Sequence, residues 1–154
     1  MADREGIINL SGFKDRIKML TKDSRGEMLR QAAEAGALFV EGQARINAAR
    51  TFTIHPMGNL MNNITHSVEV EGNTAKAEIG PQAVYGRIHE LGGVIRPTRA
   101  KMLHWIGTDG KHHFAKAVHM PARPYLRPAI ADHEDEIKHA IEITVANYLA
   151  SKGL

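Results

Sequence analysis

The chain runs to 154 residues, 43% hydrophobic and 24% charged, with no cysteine and a formal charge of +3. That balance excludes wholesale disorder, and the missing cysteines exclude disulfides, thiolate metal sites and a cysteine nucleophile. The length predicts one domain over 1–154, and with aromatic residues at 5% its core must rest on Ala, Ile, Leu, Val and Met.

Met1 to Gly6 holds no basic region ahead of an apolar stretch, and no apolar run approaches ~18 residues, so neither a standard export signal nor a membrane span is expected. Phe13, Ile17 and Leu20 follow Ser11 at helical spacing and predict a short helix within 1–22, capped by Ser11. Ser24-Arg-Gly-Glu27 matches a capping box, in which hydroxyl and carboxylate satisfy the first amides of a helix. The long helix that follows is expected to bury Met28, Ala32, Ala35, Phe39, Gly42, Ile46 and Ala49, leaving Glu34, Glu41 and Arg45 on its polar side. So small a stripe suits either the domain's own sheet or a helix of a neighbouring subunit. The helix should end near Arg50, because Pro56 and Gly58 break the pattern.

The period then changes to two. Ile64, His66, Val68 and Val70, followed after Gly72-Asn73 by Ala75, Ala77 and Ile79, predict a β-hairpin. A short helix or turn is expected over 81–90, with Val84, Tyr85 and Ile88 and closure at Gly92-Gly93. A second hairpin should pair 101–106 with 111–120 around a four-residue loop, Gly107 to Gly110. If Ile106 faces Lys111, then Leu103, Trp105 and Phe114 share one face, the better core candidate, and Met102, His104 and His113 share the other. The arm over 91–120 is expected to be mobile in isolation. Pro121, Pro124 and Pro128 should hold the next segment extended and outside any ladder. Ile130, Ile137, Ile141, Thr144 and Tyr148 then trace a C-terminal helix, with acids at its start and Lys152-Gly153 at its close. The fold class expected is α+β, a mostly antiparallel sheet of two hairpins packed with a long helix in the N-terminal half and a C-terminal helix.

The chemistry-bearing residues form no recognisable catalytic set. His89-Glu90 begins like a zinc-protease motif, but the second histidine's position is Gly93. His112 and His113 are neighbours in a strand and point to opposite faces, so His104 with His113 is the one weak metal candidate, and it lacks a third ligand. No serine sits in a nucleophile elbow and no Gly-Lys-Ser or Gly-Lys-Thr phosphate loop occurs. No cofactor is expected. Arg96, Arg99 and Lys101 concentrate three cations in six residues, which reads as a solvated loop or a phosphate contact.

Three blocks resemble the tailed-bacteriophage head-tail joining and tail-completion family, which includes minor tail and virion-morphogenesis proteins. Pro56-Met-Gly58-Asn-Leu60-Met-Asn-Asn-Ile64 is similar to its Pro, Thr-Gly, Leu, Ser-Ile pattern, with Met57 in place of Thr and Asn63 in place of Ser. Tyr85-Gly-Arg-Ile-His-Glu-Leu-Gly-Gly93 resembles Tyr-Ala-x-x-x-Glu-x-Gly, with Gly86 in place of Ala, and Met120-Pro-Ala-Arg-Pro-Tyr-Leu-Arg-Pro-Ala129 departs least. The resemblance implies a non-enzymatic virion protein, in the neck or tail and in the host cytoplasm during assembly. Its implied partners are the head connector, tail tube proteins and copies of itself in a ring, commonly sixfold, with the soluble form left open as a monomer. A tail terminator capping the tube is the nearest alternative, and a neck component touching DNA through Arg96, Arg99 and Lys101 is a further one. On this reading the candidate interface is Trp105, Phe114, Met120, Arg123, Tyr125, Leu126 and Arg127, with Tyr125 and Leu126 either anchoring to a neighbour or packing under the last helix. Gly58, Gly86, Gly92 and Gly93 are expected to serve backbone geometry.

Overall fold

The computed structural model describes residues 10–51, 58–82, 85–107 and 109–154, and within the first of these spans the side chains from Asp15 onward. Pro56, Met57, Val84 and Thr108 lie outside the described residues, as do the side chains of Ser11, Phe13 and Gly58-Asn59. The architecture is α+β, as expected: long helices and three two-stranded antiparallel sheets among the described residues. The chain divides into two compact units, 1–39 with 66–78 and 134–154, and 40–65 with 79–133.

In the first unit, helix α1 (Leu10–Met19) precedes the long helix α2 (Lys22–Thr51). The cap is Thr21, not Ser24: Thr21 Oγ1 accepts the Ser24 amide at 3.2 Å, and the Thr21 hydroxyl donates to Ser24 Oγ at 3.0 Å. The helix therefore starts three residues before the expected box, because Thr21-Lys-Asp-Ser satisfies the orphan amides first. Arg25 then donates to Leu20 O and to Asn73 Oδ1, both at 3.3 Å.

The small-residue stripe of α2 packs within the unit, against a helix and not a sheet. Met28 and Ala32 share a core with Leu20, Val145, Tyr148 and Leu149, the last three from helix α6 (Glu134–Ser151). A Cβ on Gly36 would meet Ile141 Cδ1 at 3.1 Å, so the glycine sets how closely that helix approaches. Beyond Ala32 the buried line departs from the expected alternating spacing. It runs through Gly36, Val40, Ala44 and Ala48, while Gly42 and Ile46 are exposed. A four-residue step overshoots the ~3.6-residue turn, so the buried face winds slowly around the helix. Glu41 and Arg45 pair at 2.6 Å as their spacing implied, yet Glu41 is buried, since Arg45 also donates to Ile64 O at 2.9 Å.

Strands β1 (Ile64–Glu71) and β2 (Thr74–Pro81) form the first hairpin, with Gly72 at φ +57 in the turn. The second unit contains the end of α2, helix α3 (Gly58–Asn62), helix α4 (Gly86–Leu91), four short strands and helix α5 (Leu126–Ala131). Strand β3 (Gly93–Ile95) pairs with β6 (Val118–Met120), a sheet without a sequence signal, and β4 (Leu103–Ile106) pairs with β5 (His112–Ala115). The expected long strand 111–120 is thus two strands in different sheets. The C-terminal helix is likewise divided, and Pro128 lies inside α5 and not in extended chain. Pro is tolerated there because a first-turn residue has no helical partner for its amide. Ile130 belongs to α5 and is 44% exposed, so it is no part of the α6 stripe.

The cap assignment separates two neighbouring hydroxyls. Thr21→Ala should cost about 1 kcal/mol and Ser24→Ala less than half of that, read from urea unfolding with unchanged m-values.

Candidate functional site

Glu90, the fifth residue of α4, reaches the start of α5 and takes three backbone amides. Its Oε2 accepts from Tyr125 N at 2.8 Å and Leu126 N at 2.9 Å, and Oε1 accepts from Arg127 N at 2.9 Å. The next residue is Pro128, which has no amide to satisfy, so one carboxylate closes the start of the helix. Every neighbouring contact fixes the same joint. Arg123 N donates to His89 O at 2.7 Å, Asn47 Nδ2 donates to Tyr125 O at 3.1 Å, and the Tyr125 hydroxyl donates to Gly86 O at 3.4 Å. The second and third sequence blocks are therefore two halves of one structural element.

Two glycines make this approach possible. A Cβ on Gly86 would lie 2.2 Å from Pro81 Cγ, and one on Gly92 would lie 2.7 Å from Ala122 N. Gly92 also adopts φ +69 while its amide closes α4 on Ile88 O at 2.9 Å. Gly93 opens β3, and Gly58 is the first residue of α3. Tyr125 is fully buried in its own unit, so it serves as an internal anchor and not as contact surface. Burial, and then the Glu90 carboxylate, push its phenol up to about 12. Burial, and then Arg123, hold the His89 imidazole below its ordinary value. A cavity of about 370 Å³ lies beside the joint, lined by Pro81, Arg87, Glu90, Leu91 and Leu126 among others.

Beyond the joint the chain forms an arm whose register differs by one residue from the expected one. Ile106 faces His112, Trp105 faces His113 and His104 faces Phe114. The cause is the turn. Asp109 Oδ1 accepts the Lys111 amide at 3.0 Å and Gly107 N donates to Lys111 O at 2.9 Å, which places Lys111 in the loop. A one-residue slip exchanges faces, so Trp105 and Phe114 stand on opposite sides, 41% and 61% exposed, and form no core face. The His104–His113 pair is overturned for the same reason. His104 instead lies against His112, Nε2 to Nδ1 at 2.8 Å, in a stack that continues to Phe114 at 4.8 Å between centroids. Trp105 stacks on His113 at 5.4 Å, and His113 contacts Asp109 at 3.3 Å. Among the described residues no group of three or more His, Cys, Asp or Glu is placed to hold a metal ion.

Arg96, Arg99 and Lys101 are all exposed between β3 and β4. Leu91, Val94, Ile95, Met102 and Ile106 are exposed in the same stretch. Met120 is half-buried in β6, Leu126 is half-buried, and Arg123 and Arg127 are exposed beside the joint. Sequence reasoning overlooked Glu90 as a cap because its partners lie 35 to 37 residues away. The signal available was the pairing of a lone Glu before Gly with a Tyr-Leu-Arg-Pro segment that has no cap of its own.

Two measurements test the joint. Glu90→Ala leaves three amides without an acceptor and should cost about 3 kcal/mol in thermal unfolding, with Glu90→Gln intermediate. Because the fold favours the neutral Tyr125 phenol, its stabilising effect is complete below the unfolded value near 10 and is lost as pH rises toward about 12. Tyr125→Phe should therefore lose less stability than the parent chain across that window.

No curated protein and no solved structure matches the chain. Among the described residues no helix is long and apolar enough to cross a membrane. The model of the phage virion morphogenesis family matches residues 18–150, which takes in the long helix, the carboxylate joint, the arm and nearly all of the last helix. The chain belongs to the phage virion morphogenesis family, and its role is structural or in assembly.

Proposed function

We propose that this protein is a non-enzymatic virion component that completes the phage tail and joins it to the head connector, assembling as a closed ring in the neck. The observation that carries this reading is the arm. An isolated two-stranded ribbon is marginal in water, and this one exposes Trp105 on one face and Ile106 and Phe114 on the other. Large apolar side chains held in water on both faces of a ribbon suit burial by another chain. The carboxylate joint supplies the base from which such an arm is presented, and a ring requires two different patches that fit each other.

Imaging of particles made with and without the gene product tests the role. Unjoined heads and finished tails are expected in its absence; over-long tails would assign the terminator role instead, and normal particles would refute both. Trp105→Ser with Phe114→Ser should leave the melting temperature within about 2 °C, because exposed side chains contribute little to stability. It should nevertheless reproduce the unjoined particles.

A further inference from the structure

Between residues 91 and 128 seven Lys and Arg stand against one acid. All seven are exposed, and none of their side chains forms an ion pair among the described residues. The single acid, Asp109, is engaged by the Lys111 amide at 3.0 Å and by His113 at 3.3 Å. Soluble surfaces ordinarily intersperse the two signs, so a stretch of one sign projects a field that draws a polyanion. The two ladders of the arm bring four of these cations to one place. Ile95 pairs with Val118, and Leu103 pairs with Ala115. Seven residues, Arg96 to Met102, therefore span on one side what Lys116 and Ala117 span on the other, and the surplus chain has to bulge outward. Arg96, Arg99 and Lys101 lie in the bulge and Lys116 lies across from it, with no acid on either side. Pro97 holds Arg96 extended at its start.

The make-up of the bulge narrows the class of polyanion. It contains no aromatic residue on which an unpaired base could stack, since Trp105 and Phe114 stand further out on the β4–β5 ribbon. Its apolar neighbours Val94, Ile95 and Met102 are exposed by only 40%, 37% and 42%, which leaves a protein or lipid partner little to cover. We infer that Arg96, Arg99, Lys101 and Lys116 form a binding site for the phosphate backbone of a nucleic-acid duplex. Cations so placed hold a duplex through its phosphates and do not read its sequence. The site belongs to the second unit alone and does not rest on the tail-completion reading, so each can fail while the other stands.

Fluorescence anisotropy of the full-length protein with a labelled DNA duplex of arbitrary sequence tests the site. Four phosphate contacts give a slope of log affinity on log salt of about −3.6, a loss of about a hundredfold between about 50 and about 200 mM salt. Arg96→Gln with Arg99→Gln and Lys101→Gln should weaken binding by about tenfold or more at the lower salt and flatten the slope by about 2.7. Arg16→Gln with Lys22→Gln and Arg30→Gln removes the same charge from exposed positions of the first unit and should leave the slope unchanged. Circular dichroism checks that both variants fold. No duplex binding at the lower salt, an unchanged slope in the bulge variant, or an equal loss in the first-unit variant would overturn the inference. Single strands bound more tightly than the duplex would overturn it in favour of base stacking. Poly-glutamate competing as well as unlabelled duplex would overturn it in favour of an acidic protein partner.

Discussion

One carboxylate organises the second unit. Glu90 accepts the amides of Tyr125, Leu126 and Arg127 together, and Pro128 removes the fourth donor from the count. Three charge-assisted bonds from consecutive amides define the helix start far more strictly than a hydroxyl cap would. They also fix where α4 ends relative to α5, and so where the chain leaves for β3 at one side and returns from β6 at the other. The three β3–β6 pairs, from Gly93 with Met120 to Ile95 with Val118, close the base of the arm.

That joint explains the residues around it. Tyr125 is buried because its backbone is held on Glu90 and Asn47 while its ring fills the space that Gly86 leaves open. Gly92 has to be glycine twice over, for its φ of +69 and for the backbone of Ala122 that lies against it. The prolines act as limits on hydrogen bonding: where an amide has no partner, proline costs nothing. This arrangement gives the second unit a fixed base and an arm that keeps Trp105, Ile106 and Phe114 exposed.

Much of the fold was legible because local physics dictated it. The Gly72-Asn73 turn between alternating segments, the acids at the start of α6 and the Met28-Ala32 portion of α2 all followed from periodicity and caps. The errors were equally local in origin. Thr21 and Ser24 are both competent caps three residues apart, and the choice falls to whichever hydroxyl the chain geometry presents to the amides. In the arm, Asp109 drew Lys111 into the turn, and that single bond moved every cross-strand pair by one position.

The sequence by itself determined the long helices, the first hairpin, the family blocks and the mixture of basic and apolar residues in the arm, since propensity, turn chemistry and composition act over a few residues. Tertiary structure alone decided that the Glu of one block caps the helix of another, that Tyr125 is core, and that Trp105 and Phe114 face opposite ways. Those outcomes depend on contacts 35 or more residues apart, or on a register for which the hairpin's composition allowed two solutions. The physical reason is that an acceptor's chemistry is written in one residue, while the donors it meets are chosen only when the chain has closed around it.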